Sequence, residues 1–262
     1  MTRAIAPVPA ATVLLLVWPA VANAGQLPSY VPPLTAEDRR VAFPDVQGHT
    51  VHDDVVNCFV LFDQLEWQAG DGRDRLSWDN KSWIGKDLDR FWFRTEGDAG
   101  DGRRGEAQAH FLYGRAVARW WDLVAGVRQD FRPGPAQTWA AVGLQGLAPY
   151  WFEVEATAYI GASGRTHVRL ETEYELLVTN RLILQPLVEL EVYGKSDPER
   201  GIGAGLSTAD IGLRLRYEIR RELAPYVGVT WHRKYFGTAD AARATGEPTG
   251  GARLTVGLRV WR

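Results

Sequence analysis

The amino-acid sequence predicts an all-β protein: a closed antiparallel transmembrane β-barrel of about 12 strands with a short irregular periplasmic N-terminal extension. After Leu61, apolar and polar residues alternate with period two, which is typical of strands with two different faces. Many alternating segments reach ten residues, and a strand tilted across a bilayer needs ~9–11. Short and long connections also alternate along the chain, as they do in outer-membrane barrels.

The composition agrees with this fold and excludes one class of partner. The 262 residues include 11 Trp and 27 Gly beside one Met, which favours strands and turns over helices. Lys and Arg number 30 and Asp and Glu number 32, so no charge excess points to nucleic acid, and we expect none as a partner.

Residues 1–24 are predicted to be a signal peptide. Arg3 is followed by an apolar stretch, Ala10–Ala22, and Ala22-Asn23-Ala24 resembles a cleavage site. The stretch is too short for a spanning helix and contains Pro19. No later apolar run is long enough for such a helix, so membrane insertion must use strands.

Two further regions follow the predicted signal peptide. Residues 25–60 are polar, Pro-rich at their start and without periodicity, and we predict an irregular periplasmic extension. Residues 61–262 are predicted to form the barrel. Cys58 is the only cysteine, which excludes an intrachain disulfide.

The alternation places about twelve strands, beginning near residues 61, 75, 90, 105, 120, 137, 150, 166, 182, 207, 223 and 252. The segment beginning at Thr166 illustrates the pattern, with Val168 and Leu170 on one face and His167, Arg169 and Glu171 on the other. We expect the apolar face to contact lipid and the polar face to line the lumen.

Connections after the second, fourth, sixth, eighth and tenth segments are short, as at Thr179-Asn180-Arg181. Several others are long and Gly-rich: Gly97–Gly105, Gly194–Ser207 and Gly237–Gly251. An even strand count places both ends of the barrel in the periplasm.

Aromatic residues near the segment ends are predicted to form the interfacial belts of a membrane barrel. They are Trp67, Trp120, Trp121, Trp139, Trp151, Tyr226, Trp231 and Trp261. The alternative is a secreted β-sandwich with an aromatic core, but a sandwich does not need strands of this length.

The stretches AFPDVQGHTVHDDVVNCFVLFDQLEWQ and SWDNKSWIGKDLDRFWFRTEGD resemble the copper resistance protein B family of Gram-negative bacteria, and the resemblance continues to the C-terminus. It implies a protein of the cell outer membrane that binds copper ions and sequesters them or moves them across that membrane. The implied partners are copper ions, the outer-membrane bilayer and a periplasmic multicopper oxidase.

The chain departs from this family in its methionines and at its last residues. Family members carry a Met- and His-rich tract before AFPD, whereas the only Met here is Met1, and Thr50 lies where GHxVHD carries a soft Met. Both departures speak against thioether ligation of Cu(I). The chain ends in Trp261-Arg262 rather than on an aromatic residue.

A first group of candidate metal ligands lies in the extension. His49, His52 and Asp53 form part of an H-x-x-H-D-D cluster, and imidazole with carboxylate suits Cu(II). The alternative is a polar linker whose histidines face solvent. Cys58 is either a soft ligand for the same site or an inert residue near the first strand.

The alternation places His110, His167 and His232 on the lumen face. We expect His167 and His232 near the outer mouth and His110 about halfway along the barrel. The three histidines either form a ladder of transient copper ligands or belong to a charged lumen network that binds nothing.

Glutamates from three successive strands form an acidic wall, defined here as Glu153, Glu155, Glu171, Glu173, Glu175, Glu189 and Glu191. Lumen arginines come mainly from other strands: Arg94, Arg128, Arg169, Arg214, Arg216 and Arg259. The two sets either line a narrow wet path or bridge it shut. An open acidic path favours cations, so a narrow cation-preferring pore is the alternative function.

No enzyme is predicted. The pair nearest to an outer-membrane lipase site is Ser163 and His167, which has no convincing third member. The sequence also contains no Gly-rich phosphate loop, zinc-protease helix or cysteine pair.

Overall fold

The computed structural model describes residues 35–42, 55–70, 74–100 and 105–262, which fall into two units, residues 1–51 and 52–262. The predicted signal peptide and the candidate ligands His49, His52 and Asp53 lie outside the described residues.

In the first unit, helix α1 (Ala36–Ala42) begins with a capping box. The Asp38 backbone N–H donates to Thr35 Oγ1 (3.1 Å), and the Thr35 backbone N–H donates to Asp38 Oδ2 (2.8 Å).

The described part of the second unit is almost entirely β. Its elements are β1 (Asn57–Phe59), β2 (Leu61–Ala69), β3 (Arg75–Gly85), β4 (Asp89–Gly100), β5 (Ala107–Ala118), β6 (Trp121–Arg132), β7 (Gln137–Ala148), β8 (Phe152–Gly161), β9 (Thr166–Glu173), β10 (Leu176–Leu177), β11 (Leu182–Tyr193), β12 (Gly205–Tyr217), β13 (Leu223–Lys234), α2 (Phe236–Ala244) and β14 (Gly250–Trp261). Single 3-10 turns occur at Pro149–Trp151 and Ala162–Gly164.

Twelve of these strands close into an antiparallel barrel, which confirms the predicted fold. Each long strand pairs with the next, and β14 pairs with β2 from Leu254↔Ala69 to Trp261↔Leu61. The short strands β1 and β10 extend this sheet, because β1 pairs with β3 and β10 pairs with β11. Closure leaves no long unpaired edge, as a bilayer requires.

The observed strand starts lie within two residues of the predicted ones. The prediction of an irregular segment up to residue 60 is wrong at α1 and at β1. Phe59 of β1 stacks on Trp83 at a ring-centroid distance of 6.0 Å, and three residues are too few to show alternation. Most of α2 lies within the predicted Gly237–Gly251 loop, because its Ala-rich segment favours a helix.

The barrel has a turn end and a loop end. The turn end carries the connections 86–88, 119–120, 149–151, 174–181 and 218–222. The loop end carries 70–74, 101–106, 133–136, 162–165, 194–204 and 235–249. The shortest connections, 86–88, 119–120 and 149–151, lie at the turn end, and the longest, 194–204 and 235–249, lie at the loop end, as predicted. The rhythm is incomplete, because 133–136 and 162–165 at the loop end are shorter than 174–181 at the turn end.

The barrel is apolar outside and polar inside. Leu213, Val227 and Val256 are exposed on the outer surface, whereas Glu66 and Arg216 are at most 1% exposed inside. This distribution of apolar and polar side chains is the reverse of that in a soluble protein, and it matches a barrel that contacts lipid. Among the described residues, no helix is long and apolar enough to cross a membrane.

Two predicted belt aromatics lie inside the barrel instead. Trp139 and Tyr226 are 3% exposed, whereas Trp67, Trp120 and Trp151 are exposed as predicted. The belt prediction considered only how close each aromatic residue lies to a segment end. It ignored the alternation of side chains along the strand, which decides whether a residue faces the lumen or the lipid.

Candidate functional site in the barrel lumen

A lysine bridges the lumen at about half its height. Lys81 on β3 places Nζ 3.1 Å from Glu155 Oε1 on β8 and 2.8 Å from Glu171 Oε1 on β9. Strands β3 and β9 lie six positions apart in the ring of twelve, on opposite walls. Lys81 Nζ is also 4.0 Å from Asp79 Oδ2 on its own strand.

Two arginines bridge the lumen beside Lys81. Arg94 on β4 donates to Glu155 and to Gln145 on β7. Arg169 on β9 donates to Glu96 on β4 (2.8 Å through Nη2) and lies 2.8 Å from Glu189 on β11. Each of these arginines and Lys81 therefore ties opposite walls together.

Further bridges lie toward the turn end. Glu66 on β2 is fully buried and accepts from Arg214 Nε and from the Tyr226 hydroxyl (3.1 Å). Arg216 Nη2 lies 2.6 Å from Glu175 Oε1.

Several lumen charges therefore pair across it, through Lys81, Arg94 and Arg169. Arg259 pairs with Asp63 (2.7 Å) between the neighbouring strands β14 and β2. Not every lumen carboxylate is paired: Glu153 and Glu173 face each other in register between β8 and β9, and no Lys or Arg nitrogen of the described residues lies within 4 Å of either.

One side of the lumen is filled by aromatic rings. His167 stacks between Tyr159 and Tyr193, with ring-centroid distances of 5.0 and 4.1 Å. Trp139 packs against the same histidine at 6.2 Å. The stack leaves His167 only 1% exposed.

The contacts of His167 fix its tautomer. Arg128 Nη1 lies 3.0 Å from His167 Nδ1, and a guanidinium only donates, so Nδ1 is the acceptor. The neutral ring then carries its proton on Nε2, which faces Glu191 Oε1 at 3.5 Å. In this arrangement His167 has no free lone pair for a metal.

His110 is the fourth residue of β5, nearer the loop end than the predicted mid-barrel position. Gln108 donates its amide to Glu96, so its Oε1 faces His110 Nε2 at 3.4 Å and Nδ1 keeps the lone pair. Nδ1 is buried and has no hydrogen-bond partner among the described residues. His110 lines a void of about 20 Å³, which fits one water.

The void beside His110 is a poor place for a copper ion. Lys81, Arg94 and Arg169 line it together with carboxylates. Three fixed cations oppose the entry of a fourth positive charge.

The other side of the lumen is open at the loop end. A cavity of about 350 Å³, called here the loop-side cavity, reaches from the connections down to Asp79 and Glu171. Its acidic lining also includes Asp98, Glu106, Glu189, Glu191, Asp210 and Glu247, against the cationic Arg75, Arg169, Arg214, Lys234 and Arg253.

His232 lines this cavity and is held by a carboxylate. His232 Nδ1 lies 2.7 Å from Asp210 Oδ1, its register partner on β12. A proton shared on Nδ1 leaves the Nε2 lone pair free. Metal-binding histidines are commonly oriented by a carboxylate in this way. Asp210 was not singled out from the sequence, although it lies on the polar face of its segment.

The remaining candidate, Cys58, is an exposed free cysteine on β1 at the turn end. The four described candidates do not converge on one point. Within the described ranges, no group of three or more His, Cys, Asp or Glu side chains is arranged to hold a metal ion.

The connection 194–204 covers the aromatic side of the lumen. Ile202 packs against the aromatic cluster, and Asp197 pairs with Arg165 (2.9 Å) and Arg200 (2.8 Å). Thr238 of α2 accepts from the Gly203 backbone N–H at 2.8 Å, so α2 is fastened to the same connection.

The lipase alternative finds little support in this geometry. Ser163 is exposed in a 3-10 turn, whereas His167 is buried and engaged by Arg128. No hydrogen bond joins the two side chains in the described part of the chain.

A closed twelve-stranded barrel with an apolar surface and a charged interior defines a β-barrel of the class that porins form in outer membranes. The solved structure of the NanC porin shares this fold, with a TM-score of 0.52 and 12% identity. The match covers 78% of this chain and 99% of that one.

Residues 56–262 match the family Copper resistance protein B precursor (CopB), and the chain belongs to that family, as the resemblance predicted. Copper resistance protein B of Escherichia coli is 52% identical over 231 residues, which are 88% of this chain and 78% of that protein. The Copper resistance protein B homolog of Pseudomonas syringae pv. tomato (strain ATCC BAA-871 / DC3000) is 54% identical, over 88% of this chain and 79% of that protein.

Proposed function

We propose that this protein binds copper ions at the cell outer membrane and sequesters them or moves them across it as part of copper resistance. Family membership supports the copper substrate. The observation that carries a barrel-borne site is the His232–Asp210 pair in the acidic loop-side cavity.

The chemistry of this pair suits weak or transient copper binding. An imidazole nitrogen is a good copper ligand, and Asp210 fixes the orientation of the ring. The acidic lining concentrates cations near it. One histidine without converging protein ligands holds an exchangeable ion, which suits transfer better than storage.

We propose a second site in the N-terminal extension, formed by His49, His52 and Asp53, with Cys58 as a further ligand. Its support is the H-x-x-H-D spacing and the family membership. His110 is retained as a weaker candidate for its free Nδ1, and we leave His167 out of the ligand set because of its tautomer.

Cu(II) titration of the folded protein, followed by calorimetry and electron paramagnetic resonance, tests both sites. We expect His232→Gln to remove one copper equivalent and the His49→Ala/His52→Ala double variant to remove another. Lys234→Gln is the matched control, since it changes a neighbouring cavity residue without removing an imidazole. Unchanged stoichiometry in either histidine variant refutes the corresponding site.

Asp210→Asn tests the positioning role of the carboxylate. We expect copper affinity to fall by about 10- to 100-fold while the stoichiometry stays at the wild-type value. An affinity equal to that of the wild type would show that Asp210 does not act through His232.

A narrow cation-preferring pore without a dedicated metal site is the second candidate function. The acidic loop-side cavity favours it, and the cross-lumen bridges of Lys81, Arg94 and Arg169 oppose it. Planar-bilayer conductance separates the two: a large cation-selective conductance in the wild type supports the pore.

We also propose a periplasmic multicopper oxidase as the partner that receives or supplies copper. A neighbouring gene for such an oxidase, followed by co-purification with the barrel, tests this partnership. Failure of the purified oxidase to exchange copper with the loaded barrel speaks against it.

A further inference from the structure

Three charged side chains face outward on the twelve long strands, within the described part of the chain: Asp89, Arg115 and Arg233. The other charged residues of these strands alternate onto the lumen face. A charge on the lipid-facing surface is costly at the bilayer centre and is tolerated near the headgroups. These three side chains are therefore expected to lie near the two membrane surfaces.

Arg115 lies on β5, three residues before the strand ends at the turn end of the barrel. Three residues span ~10 Å of strand, and a tilt of ~45° reduces this length to a height of ~7 Å. A long basic side chain covers such a distance, because its apolar stem follows the protein surface while its charge reaches the membrane interface. The Arg115 side chain is 65% exposed, so its guanidinium is accessible there.

The register partner of Arg115 is a carboxylate that is only loosely paired with it. Arg115 Nε lies 3.9 Å from Asp89 Oδ1 on β4, which is beyond hydrogen-bond distance. The Tyr113 hydroxyl donates to the same carboxylate oxygen. A guanidinium has five N–H donors, so Arg115 keeps donors for a further acceptor.

A second exposed cation follows Arg115 in the connection between β5 and β6. Arg119 is exposed and forms no ion pair with another residue of the described ranges. We call Arg115 and Arg119 the turn-end arginine pair. Together with Lys86 they exceed the nearby carboxylates, Asp87 and Asp89, by one charge.

Exposed aromatic rings beside the pair mark the height of the membrane surface. Trp120 follows Arg119 directly and contacts Trp151 of the connection 149–151 edge to face, with 5.6 Å between the ring centroids. The backbone is left-handed at Tyr150 (φ 67°) and Trp151 (φ 68°), a strained conformation for such residues, and both side chains are exposed. Trp and Tyr collect at the level of lipid headgroups, so the turn-end arginine pair lies at that level.

We propose that the turn-end arginine pair binds the phosphate of an anionic phospholipid, whose acyl chains lie along the exposed Leu88, Tyr113 and Val117. A guanidinium can donate two parallel hydrogen bonds to one phosphate. The excess of one cation favours an anionic headgroup over a zwitterionic one. Short turns of such barrels face the periplasm, so the lipid belongs to the inner leaflet. The inference requires the outer-membrane location and does not rest on copper binding.

Native mass spectrometry of the refolded full chain tests the inference by counting bound lipid. The probe is phosphatidylglycerol, and phosphatidylcholine is the zwitterionic comparison. Arg115→Gln or Arg119→Gln should weaken phosphatidylglycerol binding about fivefold or more and leave phosphatidylcholine binding unchanged, since one basic residue near a membrane surface contributes about that factor. Arg115→Lys should lose less, because it keeps the charge and loses only the planar fork.

The matched control is Arg233→Gln, which removes the other outward-facing arginine. Arg233 lies at the loop end, with its guanidinium over the Tyr235 ring at 5.9 Å. Its removal should leave phosphatidylglycerol affinity near the wild-type value. An equal loss in Arg233→Gln and Arg115→Gln would show a general attraction between lipid-facing arginines and anionic lipid, and would overturn the site.

Asp89→Asn separates phosphate binding from a purely structural role of the Asp89–Arg115 pair. We expect phosphatidylglycerol to bind more tightly to this variant, because the carboxylate that repels the lipid phosphate is gone. If the two side chains only stabilise the ends of β4 and β5, both changes should weaken lipid binding. Weaker binding in Asp89→Asn as well as in Arg115→Gln therefore contradicts the inference.

Two further results would overturn it. Equal affinity of the wild type for phosphatidylglycerol and phosphatidylcholine would show that the pair does not select the headgroup. Displacement of phosphatidylglycerol by an excess of soluble glycerol 3-phosphate would show a site for free phosphate instead of lipid. An unchanged copper stoichiometry in the histidine variants bears on the proposed function alone, because those titrations probe His232 and the N-terminal histidines and not Arg115.

Discussion

The buried pair of Glu66 and Arg214 gives the sharpest stability prediction, through the change Arg214→Met. Glu66 is fully buried and keeps only the neutral donors Tyr226 (3.1 Å) and Gln68 (2.9 Å) once the guanidinium is gone. Removing one partner of a buried ion pair costs ~3–5 kcal/mol, because the other charge stays buried without compensation. We therefore expect the free energy of unfolding to fall by about that amount.

Reversible urea unfolding in lipid vesicles, followed by tryptophan fluorescence, measures this change. A double-mutant cycle with Glu66→Leu separates the pair from its surroundings: the double variant should be more stable than Arg214→Met alone, since it leaves no buried charge. Arg243→Met is the control, because Arg243 pairs with Asp240 on the surface of α2 and should change stability by less than ~0.5 kcal/mol.

Two results would refute this reasoning. A cost below ~1 kcal/mol for Arg214→Met would mean that water or another donor compensates Glu66. Strict additivity of the two single changes would mean that the side chains do not interact energetically.

Three further predictions concern the ends of the barrel. Thr238→Val removes the acceptor of the buried Gly203 N–H, so proteolysis within 194–204 should become faster. The control is Thr245→Val, a change at an exposed residue that should leave the proteolysis rate unchanged. Equal proteolysis rates in Thr238→Val and the wild type would show that this hydrogen bond does not hold α2 against the connection. Trp261→Phe removes an indole hydrogen bond to a backbone carbonyl 2.7 Å away, and urea unfolding should show a loss of ~0.5–1.5 kcal/mol; a gain in stability would contradict it. Cys58→Ser should lower copper affinity in titration if the thiolate is a ligand, and an unchanged affinity removes Cys58 from the proposed site.

Much of the fold could be predicted because period-two alternation is a local property of a strand with two different environments. Strand starts and the even strand count follow from it. It did not detect β1, which is too short, or α2, whose Ala-rich helix lies within a Gly-rich connection.

The candidate site could be predicted only as far as the lumen face. Parity placed His110, His167 and His232 inside, but it does not say which residues from other strands they meet. Arg128 of β6 donates to Nδ1 of His167, whereas Asp210 of β12 accepts the proton on Nδ1 of His232 and so leaves the Nε2 lone pair free. Histidines that the sequence pattern places on the same lumen face therefore differ in whether a ring nitrogen is free to bind a metal.

The sequence by itself determined the barrel, its two faces, the loop and turn ends and the copper resistance family. Only the tertiary structure decided that Lys81, Arg94 and Arg169 bridge the lumen, because ring closure brings strands β3 and β9 to opposite walls. Local alternation fixes which way a side chain points, and closure fixes what it meets there.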